Sequence, residues 1–164
     1  MAPIAGVTAA VLGALGLIGW LLDVELLRSF PRGGVAMNPL GALASMLAGA
    51  SLVLLSKPTN ERQRRIARAC ALVVLTAGLV RLVGYTLGHD VGIDAWLFRS
   101  RLGSNRMAPN TAFNFLFIGL ALATLDVRTR RDLSIGQLII LTPAGVSLLA
   151  LAGYAYGMLS FYRV

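Results

Sequence analysis

The sequence predicts an all-α integral membrane protein. It has five transmembrane helices arranged as repeated helical hairpins, and a short interfacial amphipathic helix in the outer loop between helices 3 and 4. Three observations support this fold class: an apolar composition, five long apolar segments and an internal repeat. Of the 164 residues, 57% are hydrophobic and 13% are charged, and the mean hydropathy is +0.75. Soluble globular domains carry about 25% charged residues, so the composition favours a membrane protein.

The five apolar segments each approach or exceed the ~20 residues that cross about 30 Å of hydrocarbon. They cover residues 4–22, 39–56, 66–87, 109–125 and 135–157. The first segment lacks the basic n-region of a secretory signal, and no small-residue cleavage site follows it, so we expect a mature helix. Nothing in residues 1–164 resembles an interdomain linker, which predicts a single transmembrane domain.

An internal repeat organises these segments. Met37-Asn38-Pro39 opens the second segment, and Met107-Ala108-Pro109 opens the fourth, seventy residues later. A second motif, consisting of Leu, an apolar residue, Gly and an aromatic residue, recurs at 17–20, 82–85 and 151–154. The repeat predicts hairpins over residues 4–56 and 66–126 and a half unit over 135–157. A fixed period is typical of stacked structural units.

Prolines and loop patterns predict further local features. Pro39 and Pro109 are expected in the first turn of their helices, where proline removes no helical hydrogen bond. Pro143 falls inside the fifth segment and predicts a kink there. The outer connection has apolar residues at the spacing of an amphipathic helix that lies in the membrane interface. These residues are Ile93, Trp96, Leu97 and Phe98.

Basic residues predict the orientation in the membrane. The net charge is +8, and eight of the 15 Lys and Arg residues lie in the connections 57–68 and 128–131. The positive-inside rule makes these connections cytoplasmic. The amino terminus is then cytoplasmic and the carboxyl terminus periplasmic. No aromatic residues alternate with the arginines, so we expect no nucleic-acid partner.

Arg81 is the main candidate site residue, because it lies inside the third segment, where an arginine costs roughly 2.5 to 3.5 kcal/mol at the bilayer centre. Two interpretations stay open. The side chain extends to the outer headgroups, or it forms an anion or charge-pair site with Asn110 and Asn114 of the fourth segment. In the second case Asn114 or Asn110 is the expected hydrogen-bond partner. The cofactor, if there is one, is unknown from these residues.

The sequence contains no recognisable catalytic motif. His89 with Asp90 and Asp94 is a candidate metal cluster, but three ligands on one irregular loop are weak evidence, and we favour a solvated turn. We therefore predict a protein that is not an enzyme and has no metal site. Aromatic residues near the outer ends of the segments are typical of an interfacial belt. They are Trp20, Tyr85, Tyr154 and Tyr156.

The unfinished third unit predicts a partner chain. Terminal units of repeat arrays normally need a cap, and small residues allow the close helix approach that drives association in lipid. We expect the face of the fifth helix with Gly145, Gly153 and Gly157 to contact another membrane protein chain or tightly held lipid.

The region from Gly92-Ile93-Asp94 through Met107-Ala108-Pro109-Asn110-Thr111 to the apolar run 115–122 resembles a membrane module at the amino termini of bacterial sensor histidine kinases and diguanylate cyclases. The resemblance implies a sensory input region in the bacterial cytoplasmic membrane. Kinase or cyclase domains would follow in such proteins, whereas this chain stops at Val164. The repeat is also similar in style to MHYT-type sensors. Its equivalent positions, 37–40 and 107–110, lack His and Tyr, so no copper site is carried over.

Two functions follow as expectations. The first is a non-enzymatic sensory or signalling input module that acts by recognition within the membrane. The alternative is a structural accessory subunit of a larger membrane complex, in which the unpaired fifth helix completes a shared surface. A small transporter is a weaker third possibility, because paired midplane charges and inverted repeats are absent. The expected partners are membrane lipids and other membrane protein chains.

Overall fold

The computed structural model describes residues 1–29, 36–56, 60–88, 97–98, 103, 105–127 and 134–156. Its secondary structure in these ranges is helical, with no β-strand among them. Seven helices have defined bounds within the described ranges. They are α1 (Ala2–Leu21), α2 (Glu25–Arg28), α3 (Pro39–Ser56), α4 (Glu61–Thr86), α5 (Pro109–Ala123), α6 (Ile135–Ile139) and α7 (Leu141–Ala155).

Four helical segments among the described residues are long and apolar enough to cross a membrane: α1, α3, α4 and the segment Ile135–Gly153, which comprises α6 and most of α7. By composition the chain is therefore a multi-pass membrane protein. Helix α5 has only 15 residues, a length of about 22 Å, which is less than the ~30 Å of hydrocarbon. The helix over the expected fourth span ends early because the chain turns after Ala123, where the Thr124 hydroxyl donates to the Leu120 carbonyl at 2.8 Å.

Helices α1 and α3 form an antiparallel pair with very close backbones. A Cβ atom built on Gly49 of α3 would lie 2.5 Å from the Ala10 nitrogen of α1. A Cβ atom on Gly13 of α1 would lie 2.6 Å from the Met46 nitrogen of α3. Since lipid provides no hydrophobic drive between helices, such contacts through small residues supply the packing.

Helices α4 and α5 make the corresponding contacts. A Cβ atom built on Gly78 of α4 would lie 2.5 Å from the Leu116 nitrogen of α5, and one on Gly119 of α5 would lie 2.5 Å from the Leu75 nitrogen of α4. The two sets of contacts correspond residue by residue. Adding 65 to the residue numbers in α1 gives those in α4, and adding 70 to the residue numbers in α3 gives those in α5. The same glycines therefore serve the same purpose in both pairs.

The second helix of each pair also contacts the helix that follows it. The Ser51 hydroxyl of α3 donates to the Ala67 carbonyl of α4 at 2.9 Å. The Ala121 carbonyl of α5 lies against Gly136 of α6, so close that a Cβ there would overlap it. A shift of 70 relates Ser51 to Ala121, and a shift of 69 relates Ala67 to Gly136. Helices α6 and α7 thus follow α5 as α4 follows α3.

The helix over the fifth segment is interrupted at Ile140, between α6 and α7. Pro143 lies three residues later and is buried. Proline clashes with the carbonyl four residues before it, which explains why the regular helix breaks in this turn. The interruption lies in the turn where the sequence predicts a kink.

The amphipathic helix expected at Ile93 and Trp96 lies outside the described residues, apart from Leu97 and Phe98, which are helical. The Phe98 ring stacks on Trp20, with ring centroids 5.9 Å apart. The first outer connection contains the short helix α2.

Two ends of the helix bundle can now be defined. The proline end is where Pro39 and Pro109 begin α3 and α5. The basic end is where α4 begins, and its first two turns carry four basic residues: Arg62, Arg64, Arg65 and Arg68. Between the two ends the core is made of small and medium side chains of α3, α4 and α5, such as Ala44, Ala71, Val74 and Ala112.

Candidate functional site

Arg81 lies inside the protein, near the proline end of α4. Its residue is 3% exposed. The guanidinium Nη2 donates to the Tyr85 hydroxyl at 3.0 Å and to the Met107 carbonyl at 3.4 Å. Its Cζ also lies 4.9 Å from the centroid of the Tyr85 ring. The interpretation in which the side chain extends to the outer headgroups is therefore wrong, since a backbone carbonyl and a tyrosine hydroxyl bind the guanidinium inside the bundle.

The two predicted asparagine partners of Arg81 lie elsewhere. The Asn110 side-chain oxygen accepts from the Thr111 nitrogen at 2.8 Å, a contact within the first turn of α5. The Asn114 amide donates to the Ser147 hydroxyl of α7 at 3.1 Å. Arg81, Asn110 and Asn114 do not meet, and the expected Arg81–asparagine hydrogen bond is wrong. The reason is that Arg81 reaches the segment before α5, whereas Asn114 faces α7.

Tyr85 and Trp20 form equivalent hydrogen bonds at the proline end. The Trp20 indole nitrogen donates to the Met37 carbonyl at 2.8 Å, and the Tyr85 hydroxyl donates to the Met107 carbonyl at 2.5 Å. Each bond joins the end of one helix to the residue two positions before the proline of the next. Trp20 is 2% exposed, so its expected place in a lipid-facing aromatic belt is wrong. In both helix pairs this aromatic residue instead holds the segment before the proline of the second helix.

Each of these aromatic rings also carries an arginine. The Arg28 Cζ lies 5.0 Å from the centroid of the Trp20 ring, and its Nη2 forms a salt bridge of 3.0 Å with Asp23. Asp23 has a φ of 58° and Gly88 a φ of 64°, which marks the left-handed residue that commonly follows a helix end. These two residues are again 65 positions apart and follow α1 and α4. The arginine that lies on the Trp20 ring comes from α2, whereas the arginine that lies on the Tyr85 ring comes from α4 itself.

Asn38 and Asn105 join the segments that precede α3 and α5. The Asn38 side-chain oxygen accepts from the Leu40 nitrogen at 2.9 Å and so caps α3. Its amide donates to the Asn105 carbonyl at 3.1 Å, and the Asn105 amide donates to the Ala36 carbonyl at 2.8 Å. The sequence analysis missed this link. An asparagine directly before a helix-starting proline is an N-cap signal that identifies Asn38, but no local signal identifies Asn105.

A cavity with a mixed apolar and polar wall and a volume of about 360 Å³ lies at the proline end, between the two helix pairs. We call it the proline-end cavity. Its wall includes the polar residues Asn38, Asn105, Arg106 and Thr111, and most of its lining is apolar. Such a wall suits a small molecule that has both polar and apolar parts.

An apolar groove of about 410 Å³ lies nearer the basic end. Helices α1, α3, α5 and α6 form its sides, with Ala5, Ala48 and Leu52 on one flank and Phe115 and Leu122 on the other. At Ala9 and Ser45 it meets a second cavity of about 630 Å³ beneath α2. Small residues at the contact between α1 and α3, such as Gly49, also line the groove.

An ion-pair cluster lies at the basic end. Arg64 Nε and Arg68 Nη2 lie 3.5 Å and 3.1 Å from the same Asp126 carboxylate oxygen. Arg64 Nη1 also lies 3.4 Å from Glu61. Asp126 follows Leu125, which lines the apolar groove. The start of α4 is thereby tied to the end of α5.

The predicted partner-contact glycines fall into three situations. Gly145 has no atom within 4 Å of the position that a Cβ would occupy. Gly153 is buried within the chain. Gly157 lies outside the described residues, as do His89, Asp90 and Asp94. Across the part of the chain that the structure describes, no three His, Cys, Asp or Glu side chains are grouped as metal ligands.

Comparisons with known proteins add no relative to this geometry. No family model, no curated protein and no solved structure matches the chain. The resemblance to bacterial sensor modules therefore stays a prediction, and the functional argument depends on the packing of the helices themselves.

Proposed function

We propose that this chain is a non-enzymatic membrane protein of tandem helical hairpins whose helix α7 binds a transmembrane helix of another chain. It would act as a structural accessory subunit of a larger membrane complex. The supporting observation is a helix face on α7 that is equivalent to an occupied face on α4. In this proposal the pairs α1/α3 and α4/α5 are the first two hairpins, and α6 and α7 begin a third.

The face on α7 is found by adding 69 to the residue numbers of the occupied face on α4. The same addition relates Ala67 to Gly136. On α4 the face contains Leu75 and Gly78, which lie against α5, and Leu82, which packs against the core. The shift converts them into Ala144, Ser147 and Leu151 of α7. All three α7 residues are exposed, and Leu151 is 64% exposed. The Ser147 hydroxyl also accepts a hydrogen bond from Asn114 of α5. We call Ala144, Ser147 and Leu151 the open face of α7.

Physical chemistry favours a helix as the occupant of the open face. Two of its three residues are small, and small residues permit the backbone approach that stabilises helix pairs in lipid. The corresponding glycine of α4, Gly78, brings α5 into backbone contact. A partner helix on the open face would run antiparallel to α7, as α5 runs antiparallel to α4.

The proposed setting is the bacterial cytoplasmic membrane, with the basic end in the cytoplasm. Excess arginine at the basic end supports this orientation through the positive-inside rule. We propose that α5 also spans the membrane, which brings the number of spans to five, in spite of its 15 residues. A short helix is accommodated by local thinning of the bilayer. The amino terminus is then cytoplasmic and the carboxyl terminus periplasmic.

The experiment compares two phenylalanine variants of the full chain in membranes of its own host. Ala144→Phe fills the open face, whereas Leu149→Phe alters a residue of α7 that is 57% exposed and lies off this face. After mild extraction, native mass spectrometry should find a stable complex for the unmodified chain and for Leu149→Phe. The complex should be lost in Ala144→Phe. A monomer carrying only lipid in all three samples would contradict the proposal.

A second candidate function is the sensory input module. The proline-end cavity of about 360 Å³ favours it, because the cavity lies between the two helix pairs and a bound molecule would contact both. Limited proteolysis of membranes from the native host distinguishes the candidates. A kinase or cyclase domain that belongs to the same polypeptide as this chain, and that the protease cuts off, would support the sensor. A partner on a separate polypeptide would support the accessory subunit.

A further inference from the structure

We propose that the apolar groove between α1, α3, α5 and α6 holds one acyl chain of an anionic phospholipid whose headgroup lies at the basic end. This site is separate from the open face of α7. The proposal therefore stands whether or not α7 binds another helix.

The walls of the groove accept a hydrocarbon chain. They are apolar side chains for nearly the whole length, among them Ala48, Leu52, Ile118 and Leu122. The volume of about 410 Å³ lies within the range of ligand sites in proteins. Inside a bilayer an unfilled groove loses the dispersion contacts of its walls, and the surrounding hydrocarbon is lipid, so a lipid chain enters rather than water.

Close backbone contact between α1 and α3 limits what the groove can hold. A Cβ atom built on Gly49, which lines the groove, would lie 2.5 Å from the Ala10 nitrogen. A helix with its side chains is about 10 Å wide. A single flexible acyl chain, which is much narrower, fits without moving α1 away from α3.

The charge at the basic end selects the headgroup. Leu125 lines the groove, and the next residue, Asp126, forms salt bridges with both Arg64 and Arg68. The first turns of α4 carry four arginines, and the carboxylates near them are Glu61 and Asp126. This leaves an excess of two positive charges where the groove meets the membrane surface. Basic clusters in such positions bind anionic lipid headgroups.

The test measures lipid retained by the full chain after extraction from vesicles of phosphatidylglycerol or of phosphatidylcholine, by native mass spectrometry. Ala5→Phe fills the groove from an exposed position on α1. Val7→Phe is the matched control, because Val7 is 51% exposed and does not line the groove. We expect the unmodified chain and Val7→Phe to retain phosphatidylglycerol, and Ala5→Phe to lose it. Equal retention by the three proteins would overturn the groove as the site.

A second pair of variants tests the headgroup. Arg62→Gln together with Arg65→Gln removes two charges at the basic end, whereas Arg106→Gln removes one at the proline end. Each arginine near the surface is worth about fivefold in affinity for anionic lipid. The double variant should therefore lose most of its preference for phosphatidylglycerol, and Arg106→Gln should keep it. Equal retention of phosphatidylcholine by the unmodified chain, or a protein helix found in the groove by cross-linking, would contradict the proposal.

Discussion

Helices α4 and α7 hold equivalent positions against the helix that precedes each of them, but among the described residues only α4 has a second helix on its other side. On α4 the Gly78 backbone touches Leu116 of α5. On α7 the equivalent residue, Ser147, is exposed apart from its hydrogen bond to Asn114. The difference shows where the described part of the fold is closed and where it is open. It also separates the α4 residues that are packed against another helix from the α7 residues that are exposed.

The two complete helix pairs differ in a second way. Their backbone contacts and their aromatic hydrogen bonds correspond, but the burial of the aromatic ring and the helix cap do not. Trp20 is enclosed at 2% exposure, whereas Tyr85 is 42% exposed. Asn38 caps α3, whereas Ala108 at the same position before α5 provides no side-chain cap. Close helix approach and the aromatic hydrogen bond are thus common to both pairs, whereas ring burial and capping are specific to each.

The largest expected effect distinguishes the closed helix from the open one. Gly78→Leu should destabilise the chain by about 3 kcal/mol, because its Cβ would meet the backbone of α5 and overpacking of a rigid contact is costly. Gly145→Leu should change the free energy of unfolding by less than about 0.5 kcal/mol, since nothing lies near that position. Equilibrium unfolding in mixed micelles measures both. Equal losses for the two variants would remove the distinction between α4 and α7.

The next effect concerns the aromatic bonds at the proline end. Tyr85→Phe should cost about 1.5 kcal/mol, because the hydroxyl both donates to Met107 and accepts from the charged Arg81. Trp20→Phe should cost more, since it also leaves a void where a buried ring was. The same unfolding assay gives the order of the two losses. A larger loss for Tyr85→Phe would mean that the exposed bond, and not the enclosed one, controls the proline end.

The smallest effect is an exchange of helix caps between the two pairs. Asn38→Ala should cost about 1 kcal/mol, because it removes the cap of α3 and the link to Asn105. Ala108→Asn should add about 0.5 kcal/mol, since Ala108 has the extended backbone of a capping residue, with φ −64° and ψ 151°. Both values come from the unfolding assay. A loss of stability in Ala108→Asn would show that the two helix starts are not equivalent.

The sequence predicted much of this fold because hydropathy and proline position act locally. The start of α3 at Pro39 and of α5 at Pro109 agrees with the expectation, as does the interruption of the helix before Pro143. The end of α5 did not follow from hydropathy, because Leu125 is apolar although the chain has already turned at Thr124. Local patterns thus identified helix starts better than helix ends.

The candidate site was harder to predict, because it depends on which residues meet across the bundle. The sequence singled out Arg81 as an unusual charge inside an apolar segment but left its burial open, and the structure buries it. Its partner is a backbone carbonyl at Met107, and backbone groups leave no mark in a sequence. Asn105 likewise reaches Ala36 across 69 positions, a contact that follows only from the assembled helices.

The central claim is that the open face of α7 receives a helix of another chain in the way that α4 receives α5. The most direct measurement places a photo-cross-linking amino acid at Leu75 of α4 and, separately, at Ala144 of α7, in cells of the native host. Peptide mapping then identifies the captured residue. We predict that position 75 captures α5 of the same chain and that position 144 captures a membrane-spanning helix of a different chain. Capture of lipid alone, or of its own α5, at position 144 would contradict the account.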